Sequence, residues 1–167
     1  MSNSHSRRDG QPDTSGSRGG MHYRHLLVMA GASFLVMYGL MYAMVDSFAN
    51  VFANLNQAYM AGLMTAPMIL IELVVMRMMY TNRRLNLILA MSALVLLAGC
   101  WIMIRQQTLI SDRQFLRSMI PHHAGAILMC QQASVSDPDL KALCRTIIQS
   151  QETEIDVMKT KLAQVEQ

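Results

Sequence analysis

Residues 85–104, LNLILAMSALVLLAGCWIMI, decide the fold because this stretch contains no charged side chain. A helix of about 20 apolar residues is long enough to cross the hydrocarbon core of a bilayer. Trp101 lies near the end of the stretch, where aromatic side chains are enriched at membrane surfaces. The sequence therefore predicts a membrane-spanning helix here.

Two stretches upstream have the same character. Residues 25–45 contain no charged side chain, and residues 58–80 are mostly apolar although they include Pro67 and Glu72. Proline is tolerated in membrane helices, where neighbouring groups satisfy the freed carbonyl. The sequence thus predicts an all-α protein with three transmembrane helices.

The composition supports this class. The 167 residues are 52% hydrophobic and only 15% charged, which is unusual for a soluble domain. The net charge of +3 is small, and the arginines lie beside apolar stretches. The basic residues therefore indicate membrane orientation, and no nucleic-acid partner is expected.

The distribution of arginine predicts the topology. Residues 46–57 between the first two spans contain no Lys or Arg, whereas the N-terminal tail and the second connection carry Arg7, Arg8, Arg18, Arg24, Arg77, Arg83 and Arg84. Basic residues are retained on the cytoplasmic side of a membrane. We therefore expect a multi-pass protein of the cell (inner) membrane, with a cytoplasmic N-terminus and a periplasmic or extracellular C-terminal segment.

Three regions follow from these patterns. Residues 1–24 are rich in Ser, Gly and Arg without an apolar period, which predicts a disordered cytoplasmic tail. Residues 25–105 form the three-span membrane domain. Residues 106–167 are more polar and have the helical periodicity of an extracytoplasmic hairpin.

The hairpin has clear helix starts. Residues 111–114, Ser-Asp-Arg-Gln, resemble a capping box, and Asp137 precedes Pro138 as an N-cap precedes proline at the first helical position. A hairpin of this size buries little apolar surface. We therefore expect a homo-oligomer, or the chain's own membrane spans, to complete a helical bundle.

The chemistry of the chain is concentrated in the first hairpin helix. Met119, His122 and Met129 fall on one stripe of that helix, with His123 at its margin. Thioether and imidazole groups without a carboxylate suit Cu(I) better than Mg²⁺, Ca²⁺ or a di-iron centre. The first hypothesis is a Cu(I) site, and the alternative is that these residues are ordinary core or hydrogen-bonded side chains.

The second hairpin helix places polar groups near this stripe. In an antiparallel hairpin Gln151 lies level with His122, and Glu154 lies level with Met119. We expect Gln151 and Glu154 to orient the imidazoles as hydrogen-bond acceptors, a role that metal-bound histidines require. Met158 is a further candidate ligand.

Two cysteines face each other across the predicted hairpin. Cys130 and Cys144 are level in the antiparallel arrangement. An oxidising compartment favours a disulfide, which stabilises a loop of this size by about 3 kcal/mol. A thiolate copper site is the alternative, and the geometry of the two helices decides between them.

Glu72 is the unusual residue of the second span. An intramembrane carboxylate is a candidate functional group, and methionines precede it at every fourth position from Met60. This pattern is compatible with metal transport. The competing interpretation is that Glu72 reaches the cytoplasmic surface, because Arg77 follows closely.

The two hairpin motifs, Met119-Ile120-x-His122-His123 with Met129, and Gln151-x-x-Glu154 with Met158, are similar to those of a known family. Over residues 112–162 the chain resembles the domain-of-unknown-function family three-hundred-five, in its membrane-anchored branch. The resemblance implies a ferritin-like helical fold, half of a four-helix bundle, and copper binding of the kind found in some members. This chain lacks the additional Met/His-rich stretches of those members, so the resemblance does not extend to storage of many copper ions.

Enzyme classes find no support in the sequence. A di-iron site needs Glu-x-x-His pairs on facing helices, and no motif places an activated nucleophile beside a base. We therefore expect no enzymatic activity. Two functions remain open, namely Cu(I) binding for copper tolerance or homeostasis, and a metal-free membrane-anchored interaction module.

Overall fold

The computed structural model describes residues 15–166, and side-chain surroundings from residue 20 onward. In this part of the chain five α-helices and two short 3₁₀ turns, Met41–Met44 and Phe48–Asn50, follow one another without a strand. The helices are α1 Ser15–Leu40, α2 Leu55–Val75, α3 Arg83–Gln106, α4 Asp112–Gln132 and α5 Pro138–Val165. The prediction of an all-α protein is confirmed for the described residues.

Three segments are long and apolar enough to cross a membrane. They are Gly20–Met44, Leu55–Val75 and Arg83–Gln106, with mean hydropathies of 1.8, 1.8 and 2.6. Only 11%, 22% and 11% of the residues in their most apolar windows are buried inside the protein. Their remaining apolar surface suits contact with lipid, so the prediction of three candidate spans is confirmed.

The first helix begins earlier than the sequence predicts. Ser15 to Arg24 belong to α1, so the prediction of disorder is wrong for these residues, and residues 1–14 lie outside the described part. Tyr23 explains the difference because it is buried, packs its ring 5.1 Å from that of Tyr80, and donates a 2.6 Å hydrogen bond to Asn86. These contacts tie the start of α1 to the connection between α2 and α3.

The second span is shorter at its C-terminal end than predicted. α2 ends at Val75, and residues 76–79 turn back so that Tyr80 is buried against α1. The hydroxyl of Tyr80 donates to Glu72 Oε1 at 3.2 Å. The chain therefore leaves the helix about one turn before the predicted end of the span, and Tyr80 makes aromatic and hydrogen-bond contacts instead.

Helices α2 and α3 approach each other closely at Gly62. A Cβ atom placed on Gly62 would lie 2.8 Å from Cys100 Sγ, which is closer than such atoms pack. Cys100 is buried and free. The absence of a side chain at Gly62 leaves room for the Cys100 sulfur in this contact.

Helices α4 and α5 form an antiparallel hairpin. Ile120, Ala124 and Ile127 of α4 pack against Ile155 and Leu162 of α5 to form its buried core. At the far end, Glu166 accepts from Arg113 at 2.9 Å and from Arg117 at 2.7 Å. The sequence analysis did not identify these two ion pairs, which join the end of α5 to the start of α4.

The two helix starts of the hairpin are as predicted, but one cap is not. Asp137 accepts hydrogen bonds from the backbone amides of residues 139 and 140 and precedes Pro138. Ser111 occupies the N-cap of α4 without a side-chain hydrogen bond. The capping box does not form because Gln114 instead accepts from the backbone amide of Leu55 at 3.1 Å.

The hairpin rests on one end of the membrane bundle, the end where α1 stops and α2 begins. Asn56 donates to Ser118 at 3.2 Å, and Tyr59 donates to the carbonyl of Thr108 at 2.9 Å. Val45 and Phe52 of the first connection pack against the hairpin core. The chain's own membrane domain therefore covers one side of α4.

A double-mutant cycle tests the close contact between α2 and α3. We expect Gly62→Ala to lower the thermal midpoint of the purified protein in detergent, because the new methyl group overlaps the Cys100 sulfur. Overpacking of this kind costs about 1–3 kcal/mol. In a Cys100→Ala background the sulfur is absent, and the same substitution should be neutral or stabilising because alanine favours a helix over glycine. Equal effects in both backgrounds would show that the contact is not tight.

Candidate metal site

A cavity of about 380 Å³ lies where α4 meets the ends of α1 and α2. Its walls carry sulfur and imidazole groups from both parts of the protein, namely Met41, Met44, Met60, Met119, His122 and Met129. We call it the methionine cavity. Two of the methionines come from α4 with the histidine, and three come from the membrane domain.

The remaining polar groups of the cavity are engaged with one another. Asn54 donates to Gln57 Oε1 at 3.0 Å and accepts from the backbone amide of Gln57 at 2.9 Å. Asn56 is held by Ser118, as described above, and exchanges hydrogen bonds with Gln107 at 3.0 and 3.2 Å. No residue that lines the cavity, all of them within residues 15–166, carries a carboxylate. The groups left to bind a ligand are thioethers and the imidazole of His122.

The adjacent histidines lie in different surroundings. His122 is exposed and lines the cavity, whereas His123 is 8% exposed and faces α5. Their ring centroids are 6.2 Å apart with the planes at 63°. Neighbouring residues on a helix point about 100° apart, which accounts for this separation.

Both ring nitrogens of His123 are occupied. Nδ1 lies 2.9 Å from the carbonyl oxygen of Met119, and Nε2 lies 2.7 Å from Glu154 Oε2. Both nitrogens are therefore engaged within the protein. His123 does not line the cavity, and His122 is the histidine that does.

Glu154 meets the ring of His123, as a residue that orients an imidazole would. Hydrogen bonds from Ser150, at 2.9 Å, and from His123 hold the pKa of the Glu154 carboxyl below its usual value. The side chain of His123 points back one turn toward the N-terminus of α4, as helical side chains do. Glu154 therefore contacts His123 although it was predicted to lie level with Met119.

Two predicted site residues lie outside the cavity. Met158 is half-buried and packs against the hydrophobic core of the hairpin. Gln151 is half-buried one turn before Glu154 on α5, and it does not line the cavity either. The structure thus brings together Met119, His122 and Met129 but not His123, Met158 or Gln151.

Cys130 and Cys144 lie side by side as free thiols. The hydrogen bond between them, followed by partial burial, raises the pKa of Cys130. A raised thiol pKa disfavours the thiolate that binds metals. The predicted disulfide is not formed in this structure, and it stays a prediction for oxidising conditions.

Glu72 is remote from the methionine cavity. It follows Met60 by twelve residues, or about 18 Å along the axis of α2. Its contact with Tyr80 lies at the opposite end of the bundle. The structure therefore does not bring Glu72 together with the other predicted site residues.

Harder metal sites have no matching donor set. Within residues 15–166, no three or more His, Cys, Asp or Glu side chains converge in a way that could hold an ion. Zinc sites and di-iron centres are built from such groups. The methionine cavity differs because its donors are thioethers and one imidazole.

The sequence analysis missed Met41 and Met44, and it named Met60 only as part of the methionine row that leads to Glu72. The predicted topology contained a signal for them. If the first span leaves the cytoplasm and the second returns to it, the connection between these spans lies at the extracytoplasmic surface. The hairpin begins at that same surface after the third span. Methionines near residues 41–60 could therefore have been expected beside α4.

These features define a helical protein with three helices long and apolar enough to span a membrane, and with a polar helical hairpin that closes a methionine-lined cavity. The family described as "Domain of unknown function (DUF305)" matches residues 74–162 of the chain. The chain belongs to this family, and the resemblance over residues 112–162 is confirmed and extended upstream through α3. The matched region thus includes a membrane helix as well as the hairpin.

One relative shows the same extent of similarity. "Uncharacterized protein L153" of Acanthamoeba polyphaga mimivirus is 32% identical over 145 residues, which cover 85% of this chain and 93% of that protein. An alignment of this length includes membrane helices in addition to residues 106–167. No solved structure matches the chain.

Oxidation of the purified protein tests the cysteine pair. We expect Cys130 and Cys144 to cross-link under mild oxidants because both are free thiols on the two antiparallel helices of the hairpin and Cys144 is close enough to raise the pKa of Cys130. Alkylation before and after reduction, read by mass spectrometry, should then differ by two thiols, with Cys100 unchanged as the internal control. The cross-link should raise the stability of the hairpin by about 3 kcal/mol. Full alkylation of both residues without reductant would contradict this prediction.

Proposed function

We propose that this protein binds Cu(I) at the extracytoplasmic surface of a cell membrane and thereby contributes to copper tolerance or homeostasis. The observation that supports the proposal is the methionine cavity, in which His122 and Met119 lie together with Met129 farther along α4. The function is binding rather than catalysis.

The donor set favours a soft monovalent ion. Thioether sulfur and imidazole nitrogen suit Cu(I), whereas carboxylate and carbonyl oxygens suit Mg²⁺, Ca²⁺ and Mn²⁺. Three rotatable bonds and a polarizable sulfur allow each methionine to adjust to the ion. His122 supplies a nitrogen donor that is accessible at the cavity wall.

His123 and Glu154 support the site without binding the ion. The Nδ1 hydrogen bond of His123 holds the backbone carbonyl of Met119, and Glu154 holds the other side of the ring. Hydrogen bonds from neighbouring residues of this kind fix the position of a metal-binding residue. Met119 thus projects from a part of α4 that is fastened to α5.

The location follows from the arginines. Arg24, Arg77, Arg83 and Arg84 lie at the end of the bundle away from the hairpin, and only Arg105 lies at the hairpin end among these membrane helices. The positive-inside rule favours a cytoplasmic location for the arginine-rich end. The methionine cavity then opens on the periplasmic or extracellular side.

A metal-free interaction module is the second candidate. Large apolar side chains on the hairpin remain about half exposed, namely Phe115, Leu140, Leu143 and Val157. A second copy of the chain would cover such residues and give a four-helix, ferritin-like bundle. A homo-oligomer is compatible with either function.

A competition titration with a Cu(I) chelator tests the main proposal on the full-length protein in detergent. Loss of an outer partner of a metal ligand already lowers metal affinity by about tenfold or more. We therefore expect His122→Ala combined with Met119→Leu, which removes two ligands, to lower the Cu(I) affinity by at least about tenfold. Met158→Leu is the matched control, because this methionine packs in the hairpin core outside the cavity. Absence of Cu(I) binding by the parent protein would favour the metal-free module.

A fusion experiment tests the topology. A reporter at the C-terminus that is active only in the cytoplasm should be silent, since the arginine-rich end is expected to face the cytoplasm. The same reporter placed between residues 81 and 82, in the connection from α2 to α3, should be active and serves as the control. Activity at the C-terminus would place the methionine cavity on the cytoplasmic side.

A further inference from the structure

We infer that the Cu(I) site is shared between the hairpin and the membrane bundle, with Met41, Met44 and Met60 of the bundle as ligands. This inference rests on the proposed function, because it names further donors for the same ion. A bound ion would then link α4 to the 3₁₀ turn Met41–Met44 and to α2.

The geometry of α4 shows why the hairpin is not sufficient. Met119 and His122 are three residues apart and share one helical turn. Met129 is seven residues beyond His122, which corresponds to about 10 Å along the helix axis. An ion bound by His122 can therefore also be bound by Met119, whereas Met129 lies too far along the helix to bind the same ion easily. Helix α4 thus supplies about two donors at the same position along its axis.

The opposite wall of the cavity supplies the missing sulfur atoms. Met41 and Met44 lie on the 3₁₀ turn that ends the first span, and Met60 lies in the second turn of α2. The sulfur-bearing side chains are not packed away, since Met44 is 56% and Met60 is 37% exposed. They are available to an ion that His122 and Met119 bind from the other side.

Close packing and hydrogen bonds hold the two walls of the cavity against each other. A Cβ atom on Gly125 would lie 3.4 Å from the carbonyl oxygen of Met44, so the turn and α4 approach closely where α4 has no side chain. Hydrogen bonds from Asn56 to Ser118 and from the Leu55 amide to Gln114 hold α2 against α4 nearby. The two walls that carry these side chains are therefore held against each other by contacts within the protein.

Other methionines of the membrane domain lie outside the cavity. Met64, Met78 and Met91 are 48%, 86% and 52% exposed, and none of them lines the methionine cavity. They suit contact with lipid or solvent. This difference provides matched controls of the same residue type in the same membrane domain.

Substitution of the bundle methionines tests the inference in the full-length protein. The triple variant Met41→Leu, Met44→Leu and Met60→Leu keeps side-chain volume but removes the sulfur atoms. Because three proposed ligands are lost, we expect this variant to bind Cu(I) at least about tenfold more weakly than the parent in a chelator competition. The control triple Met64→Leu, Met78→Leu and Met91→Leu should bind like the parent.

Protection from oxidation gives a direct reading without any substitution. Ag(I), a soft monovalent ion that does not react with peroxide as copper does, is added to the parent protein before brief treatment with hydrogen peroxide. Methionine sulfoxide is then measured at each position by mass spectrometry. We expect Met41, Met44 and Met60 to be protected together with Met119, while Met64 is oxidised as without Ag(I).

The outcomes separate this inference from the proposed function. If the bundle triple binds Cu(I) like the parent and only Met119 is protected, the bundle methionines are not ligands, and the site belongs to the hairpin alone. If the parent binds neither ion, the proposed function itself is wrong. If the control triple weakens binding as much as the bundle triple, the effect does not come from the cavity and the inference is overturned.

Discussion

The hydrogen bond from the Leu55 backbone amide to Gln114 joins the first turn of α2 to the first turn of α4 and helps to fix the arrangement of the two parts. The first amides of a helix have no partner within it, and Gln114 satisfies one of them from another helix. Each such bond contributes about 1 kcal/mol net, so this contact and the Asn56–Ser118 bond fasten α4 modestly. The apolar contacts of Val45 and Phe52 add to them. The methionine cavity exists because α4 is held at this position.

The pair His122–His123 shows how surroundings assign different chemistry to identical side chains. The helix directs one ring to the cavity and the other to α5, where two acceptors hold it. The carbonyl of Met119 on one side and Glu154 on the other fix the orientation of the His123 ring. The buried histidine therefore acts on the fold, and the exposed one remains free to bind.

Much of the fold could be predicted from the sequence, and the reasons are local. The absence of charge over residues 85–104, the start of α4 after Ser111 and the cap at Asp137 are all set by residues that are neighbours in the chain. The order in the segment from residue 15 could not be predicted, because it comes from Tyr23 contacting residues about sixty positions away. For the same reason, one wall of the cavity was predicted from the motif on α4, whereas the wall formed by Met41, Met44 and Met60 depends on tertiary packing.

The position of the cavity also bears on whether a metal ion would be held or conducted. Neutral thioethers and imidazole leave the charge of Cu(I) uncompensated, and such a charge is costly in the apolar centre of a membrane. At the end of the bundle the cost is smaller, because amide groups of Asn54, Asn56 and Gln57 lie beside the sulfur atoms and water is near. Deeper along α2, Met64 is 48% exposed and does not line the cavity, and Glu72 is engaged with Tyr80 at the far surface. These positions support the proposed binding of an ion at the membrane surface rather than its transport across the membrane.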